Sequence, residues 1–164
     1  MSVNASIKPS LWFAGNAEEA VDFYSSIFTS SKVTNVARYT AAGKDEHGME
    51  VGSIMSLDLT LNDQTFMLIN GPPIFQFSQA ISFTVTCEDQ EEIDHYWEKL
   101  GDGGERARCG WLKDKFGLSW RVVPRLLDEL LQKGDEEQRA RVSIAKSKMG
   151  KFDIDRLKRA FEGY

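Results

Sequence analysis

The sequence predicts an α+β protein made of two successive β-α-β-β-β modules followed by a C-terminal helical extension. Three observations carry that prediction. A helix-like segment recurs after 73 residues, short stretches of strict two-residue alternation surround each copy, and the pattern changes to helical periodicity after Pro124. The expected organisation is a paired-module domain over residues 1–124, with modules at about 5–72 and 79–124, and an extension over residues 125–164 that packs on the domain or on a partner subunit.

The repeat reads Glu18-Glu19-Ala20-Val21-Asp22-Phe23-Tyr24 in one copy and Glu91-Glu92-Ile93-Asp94-His95-Tyr96-Trp97 in the other. Asn16 and Asp89 precede the two copies as capping residues. Glu19 and Glu92, three positions on, complete a reciprocal capping box at each helix start. The paired glutamates are accounted for by the positive end of a helix dipole, not by acid/base chemistry. A strand precedes each helix, over residues 11–13 and 80–86. In the second, Ile81, Phe83 and Val85 alternate with Ser82, Thr84 and Thr86, the period of a half-buried strand. Residues 32–40 form the next strand of the first module. Met55, Leu57, Leu59 and Leu61 then alternate with Ser56, Asp58 and Thr60, and Asn62-Asp63 turns the chain into residues 65–69. Residues 41–51, with Gly43, His47 and Gly48, read as a mobile loop. In the second module residues 105–109 and 111–113 are short strands, and Asp114-Lys115-Phe116-Gly117 turns into residues 118–123.

Beyond Pro124, Leu126, Leu127, Leu130 and Leu131 make an apolar stripe closed by Gly134. Asp135 caps a second helix. Phe152 and Leu157 flank an Asp153 cap as a hydrophobic staple would, with Ile154, Leu157 and Phe161 on one helical face.

Composition narrows the function. The 164 residues are 41% hydrophobic and carry a formal net charge of −5, so one globular core is expected and a phosphate-neutralising surface is not; nucleic acid and membranes are excluded as expected partners. The charge is uneven: residues 125–164 hold ten Lys/Arg and eight Asp/Glu, a local +2 that leaves −7 on residues 1–124. No apolar run reaches the roughly 20 residues of a membrane helix, and the first residues lack the pattern of a signal peptide, so a cytoplasmic location is expected. Two cysteines, Cys87 and Cys109, read as free thiols. Cys109 sits between Arg108 and Gly110, yet no histidine stands near it in sequence, and a small apolar role outweighs a nucleophilic one.

The segments Leu11-Trp12-Phe13-Ala14-Gly15-Asn16-Ala17-Glu18-Glu19-Ala20, Phe23-Tyr24, Cys109-Gly110-Trp111-Leu112-Lys113-Asp114 and Gly117-Leu118-Ser119-Trp120 resemble the PhnB-like family of the vicinal oxygen chelate, or glyoxalase, superfamily. Its members are commonly labelled 3-demethylubiquinone-9 3-methyltransferase domain proteins. The resemblance implies that the modules form a glyoxalase-like half-barrel, that the protein is a homodimer, and that a small organic ligand enters the barrel. In metal-using relatives four strands each contribute a His, Glu or Gln. Carried over one at a time, those positions fall near Pro9, at Met67, at Ala80 or Ser82, and at Arg121 or Trp120. None of these is a credible ligand for a hard divalent metal, and His47 and His95 lie elsewhere, so no metal and no cofactor is expected. Gly101-Asp102-Gly103-Gly104 follows a helix and reads as a C-cap and turn, not a nucleotide cradle.

The remaining expectation is a binding pocket lined by Leu11, Phe13, Met67, Ser82, Thr84 and Arg121 with Trp111 at its mouth. Arg121 would pair with a carboxylate or phosphate. The alternative is that the aromatic residues only fill the core and Arg121 lies on a solvated face. At the level of function the expectation is a small-molecule-binding protein without a metal site. An enzyme of the demethylubiquinone methyltransferase or lyase type, or a drug-sequestering resistance protein, stands as the alternative.

Overall fold

A computed structural model describes residues 7–164. The chain divides into two compact units, the first running to Gln76 and the second covering Phe77–Tyr164. In the first, strand β1 (Ser10–Phe13) leads to helix α1 (Ala17–Ile27), then to β2 (Ser31–Arg38), the one-turn helix α2 (Lys44–His47), β3 (Ile54–Leu61) and β4 (Gln64–Asn70). The sheet order is β1-β4-β3-β2, with β1 parallel to β4 and the other pairs antiparallel. In the second, β5 (Phe83–Cys87), α3 (Gln90–Leu100), β6 (Glu105–Arg106), β7 (Trp111–Lys113) and β8 (Ser119–Pro124) repeat that plan, with order β5-β8-β7-β6 and one parallel pair, β5 with β8. Helices α4 (Arg125–Lys133), α5 (Glu136–Ser147) and α6 (Ile154–Glu162) complete the second unit. The α+β class and the two β-α-β-β-β modules are as the sequence predicts.

Each sheet buries one face against its helix. In the first unit Leu57, Leu59 and Leu61 of β3, Phe66 and Leu68 of β4, and Leu11 and Phe13 of β1 are buried, and α1 lies against this sheet through Ala17, Ala20, Tyr24 and Ile27. In the second, Leu112, Trp120, Val122 and Cys87 are buried, and α3 contributes Ile93, Tyr96, Trp97 and Leu100. Alternation places the intervening residues on the opposite, helix-free face of each sheet.

The turns explain the register. Asn62 and Asp63 both have positive φ, 41° and 70°, which matches the twist of a two-residue hairpin between β3 and β4. Between β7 and β8, Asp114 Oδ1 accepts from the backbone N–H groups of Phe116 (2.9 Å) and Leu118 (3.0 Å), and its Oδ2 accepts from Trp120 Nε1 at 2.8 Å. One buried carboxylate thus closes the turn and fixes an aromatic ring in the core. Ahead of β7, Cys109 and Gly110 are both left-handed, and a Cβ on Gly110 would run into the Val122 carbonyl and the Phe152 ring. This close approach lets the Cys109 and Gly110 N–H groups donate to Met149 O and Gly150 O, both at 2.8 Å. The α5–α6 connection is thereby tied to the second sheet.

Several elements differ from expectation. Asn16 stands at the start of α1 without a side-chain cap bond. Buried Asn70 does the work instead: its Oδ1 accepts from Ala17 N at 2.9 Å, while Nδ2 donates to Glu18 Oε2 at 2.7 Å. At α3, Asp89 Oδ1 does accept from Glu92 N (2.9 Å), but Glu92 Oε2 accepts from Glu88 N and not from Asp89 N. The strand expected over residues 80–86 begins only at Phe83, the one expected over 105–109 ends at Arg106, and the expected loop at 41–51 contains α2 between left-handed Gly43 and Gly48. The Asp135 capping box with Gln138 and the Asp153 cap on Arg156 N are both present.

The C-terminal helices bury their apolar sides within the second unit: Leu127, Val142, Met149, Phe152 and Leu157 are all buried. Among the described residues no helix is long and apolar enough to cross a membrane.

Candidate functional site

On the helix-free face of the second sheet, β8 places Arg121 directly between Thr84 of β5 and Trp111 of β7, its cross-strand partners in register. The guanidinium carbon lies 5.2 Å from the Trp111 ring centroid, within cation–π range. Arg121 Nε is buried and has no hydrogen-bond partner. No ion pair engages the side chain among the described residues. A desolvated donor on a fixed cation is costly unless an acceptor reaches it. Thr84 is exposed beside it and offers a hydroxyl; Trp111 is half-buried and supplies an apolar wall.

The other predicted pocket residues separate by face. Met67 pairs with Ser10 and Asp58 and lies half-buried on the helix-free face of the first sheet. Leu11 and Phe13 do not join it. They register with Leu68 and Asn70, on the face covered by α1, and are buried to 7% and 2% exposure. Their inclusion in a pocket is corrected by strand parity: a one-residue step along a strand reverses the face. Ser82 is half-buried but precedes β5, outside the sheet.

Sequence reading missed Asp58, although its signal was present: a carboxylate at the centre of an alternating strand, on the same helix-free face as Met67. Lys8 Nζ donates to both Asp58 oxygens at 2.6 Å, and Asn35 Nδ2, on a left-handed residue at the β2 bulge, donates to Oδ2 at 2.7 Å. Burial alone would raise this carboxyl. The hydrogen bonds from Asn35 and Lys8, with the Lys8 charge, outweigh it and hold the group below the ordinary 3.8. It is a neutralised pair, unlike Arg121.

The thiols are not candidate nucleophiles. Burial, followed by the charges of Glu92, Asp89 and Glu88, pushes Cys87 up to about 12. Cys109 Sγ donates to Lys146 O at 3.5 Å at the base of the C-terminal helices. His47 stacks on Tyr39 at 4.5 Å, with Nδ1 accepting from Met49 N, and His95 stands beside Tyr96 on α3.

The residues on the helix-free faces do not fit the divalent metal that the superfamily implies. Met67 offers a thioether, Thr84 a hydroxyl and Arg121 only donors, while the one buried carboxylate there is already saturated by Lys8 and Asn35. Among the described residues no three His, Cys, Asp or Glu side chains are grouped to hold an ion.

Two sheets of order 1-4-3-2, each with one helix across one face, define the paired-module fold of the glyoxalase superfamily. Residues 5–123 match the model of the 3-demethylubiquinone-9 3-methyltransferase family, and the chain belongs to that PhnB-like family. It is 36% identical to a PhnB protein from Bacillus cereus that carries the same methyltransferase description, over 73% of this chain and 99% of that one, with a TM-score of 0.64. Protein PA1353 from Pseudomonas aeruginosa shares the fold at 18% identity, over 74% of this chain and 98% of that one, with a TM-score of 0.57. So does the fosfomycin resistance protein FosX from Listeria monocytogenes, at 12% identity over 77% and 98% of the two chains, with a TM-score of 0.53. No curated protein matches the chain.

Proposed function

We propose that the protein binds a small organic anion, without a metal, on the helix-free face of its second sheet. Arg121 is the anchor, Thr84 a hydroxyl contact and Trp111 the apolar wall. The observation that carries this reading is the buried, unpartnered Nε of Arg121 over Trp111. A guanidinium presents parallel donors to a carboxylate or phosphate, and stacking on an aromatic ring holds its plane, so the arrangement selects charge and orientation together. Met67 and Ser82 remain candidate ligand contacts in their own units; Leu11 and Phe13 leave the set. The reading includes a cytoplasmic location and a homodimer. Dimerisation rests on the family resemblance alone, because Leu127, Val142 and Leu157 of α4–α6 are buried within the chain.

A thermal-shift panel of small carboxylates and phosphonates tests the anchor. A saturable shift with the parent that is lost in Arg121→Ala, with Arg121→Lys keeping only part of it, supports the proposal. An equal shift in parent and Arg121→Ala overturns it. Light scattering tests the dimer: a mass near the 18.5 kDa of one chain overturns it, and twice that mass supports it.

The family description favours a second reading, methyl transfer. A Gly-rich turn from strand to helix would be its usual support, but Gly101, Gly103 and Gly104 follow α3 as its C-cap and turn. S-adenosylmethionine added to the same assay separates the two: a clear stabilising shift would replace the binding reading with the enzymatic one. A drug-sequestering role is the binding reading with an antibiotic as ligand, and the same Arg121 variants test it.

A further inference from the structure

We infer that the cleft between α5 and α6 is a second binding site, for a phosphorylated small molecule with an apolar body. The cleft has a volume of about 420 Å³. Arg141 of α5, Lys148 at its C-cap, and Arg156 and Arg159 of α6 line it around Ile144 and Tyr164, and no Asp or Glu is among its lining residues. The spacing is that of single helical faces: 141 and 144 on α5, continued by 148 at its C-cap, and 156 and 159 on α6. Its volume falls within the range of small-molecule sites.

Charge is the argument. The chain carries a net −5, and six of its cations take carboxylate partners: Lys8 with Asp58, Arg106 with Glu98, Lys113 with Glu105, Arg125 with Glu88, Lys133 with Glu129, and Lys151 with Asp94. Around the α5–α6 cleft cations gather without such partners. Lys148, Arg156 and Arg159 have no ion pair among the described residues, despite Asp155 and Glu162 on the same short helix. Arg141 alone is committed: its Nε and Nη2 donate to Ala160 O (2.9 Å) and Phe161 O (2.7 Å), and its Nη1 stands 4.0 Å from Glu137. These bonds fix α6 against α5 and so hold the cleft open in one shape. Like charges three apart on a helix and facing one another across a seam repel, and a multiply charged anion removes that repulsion. Ile144 is 56% exposed and Tyr164 91% exposed at the same place, giving apolar surface that free phosphate would leave uncovered.

The test uses phenyl phosphate, with inorganic phosphate and phenol as its two halves, titrated calorimetrically into the full chain at low and high salt. Saturable binding of phenyl phosphate is expected, weaker for inorganic phosphate, weaker again at high salt. The double variant R156Q/R159Q should bind about tenfold more weakly or worse, and Ile144→Ser should weaken phenyl phosphate while leaving inorganic phosphate unchanged. All three positions are exposed, so the variants are expected to fold, which circular dichroism checks. Arg121→Ala separates this site from the one on the second sheet and should leave the titration intact. Absence of saturable binding, equal affinity in R156Q/R159Q, or loss of binding in Arg121→Ala alone would each overturn the inference.

Discussion

The two modules repeat one topology, yet they solve the same two problems with different residues. Each must begin a helix after its first strand. In the second module Asp89 caps α3 locally, whereas in the first the cap of α1 comes from Asn70, on the last strand of the sheet, which also holds Glu18 and donates to Ile54 O at 3.1 Å. Each module also places a charged side chain at a mid-strand position of its helix-free face. Asp58 is neutralised by Lys8 and Asn35; Arg121 stands between Trp111 and Thr84 with no ion pair among the described residues. A duplicated backbone therefore fixes where a side chain can stand, while the local partners decide whether it stabilises the fold or stays available to a ligand.

The largest expected effect tests the capping contrast. Asn70→Ala leaves the buried Ala17 N–H without its acceptor and removes two donated bonds, and should cost about 3 kcal/mol. Asp89→Ala removes one exposed cap and should cost about 1 kcal/mol. Urea unfolding of both variants measures the difference; equal costs would remove the contrast.

Next is the charge contrast. Asp58→Asn should cost about 2 kcal/mol at neutral pH, since it removes a carboxylate accepting three hydrogen bonds in a buried position. Because the folded carboxyl titrates below the ordinary 3.8, its stabilisation is complete above that value and is lost as pH falls below it through the folded one. Parent and variant stabilities should converge in acid. A constant difference across pH would sever the ion pair from the effect. Arg121→Ala, by contrast, should change stability by less than about 0.5 kcal/mol, since no hydrogen bond or ion pair is lost. A large loss in the same urea assay would make Arg121 structural.

The smallest effect concerns the thiols. Native protein should expose Cys109 to a thiol reagent before Cys87, which is fully buried and shifted up to about 12. Equal rates measured in the single-cysteine variants would contradict that order.

Much of this was legible from local pattern. The Asn62-Asp63 hairpin, the Asp135 and Asp153 caps and the Asp114 turn are interactions between residues a few positions apart, so sequence spacing fixes them. Of the expected site, Thr84, Trp111 and Arg121 come together because they are direct cross-strand neighbours. Leu11 and Phe13 were misplaced because periodicity names two faces of a strand without saying which one a helix covers. Asn70 was invisible as a cap because its target lies 53 residues away.

By itself, then, the sequence determined the repeat, the element types and the family, since period-two and helical patterning, capping and turn chemistry are short-range. Only the tertiary structure decided which face of each sheet its helix covers, that α4–α6 close on the second module, and that Arg121 has no ion pair among the described residues while Asp58 has one. Those outcomes depend on long-range pairing and burial, which bring together residues that no local spacing relates.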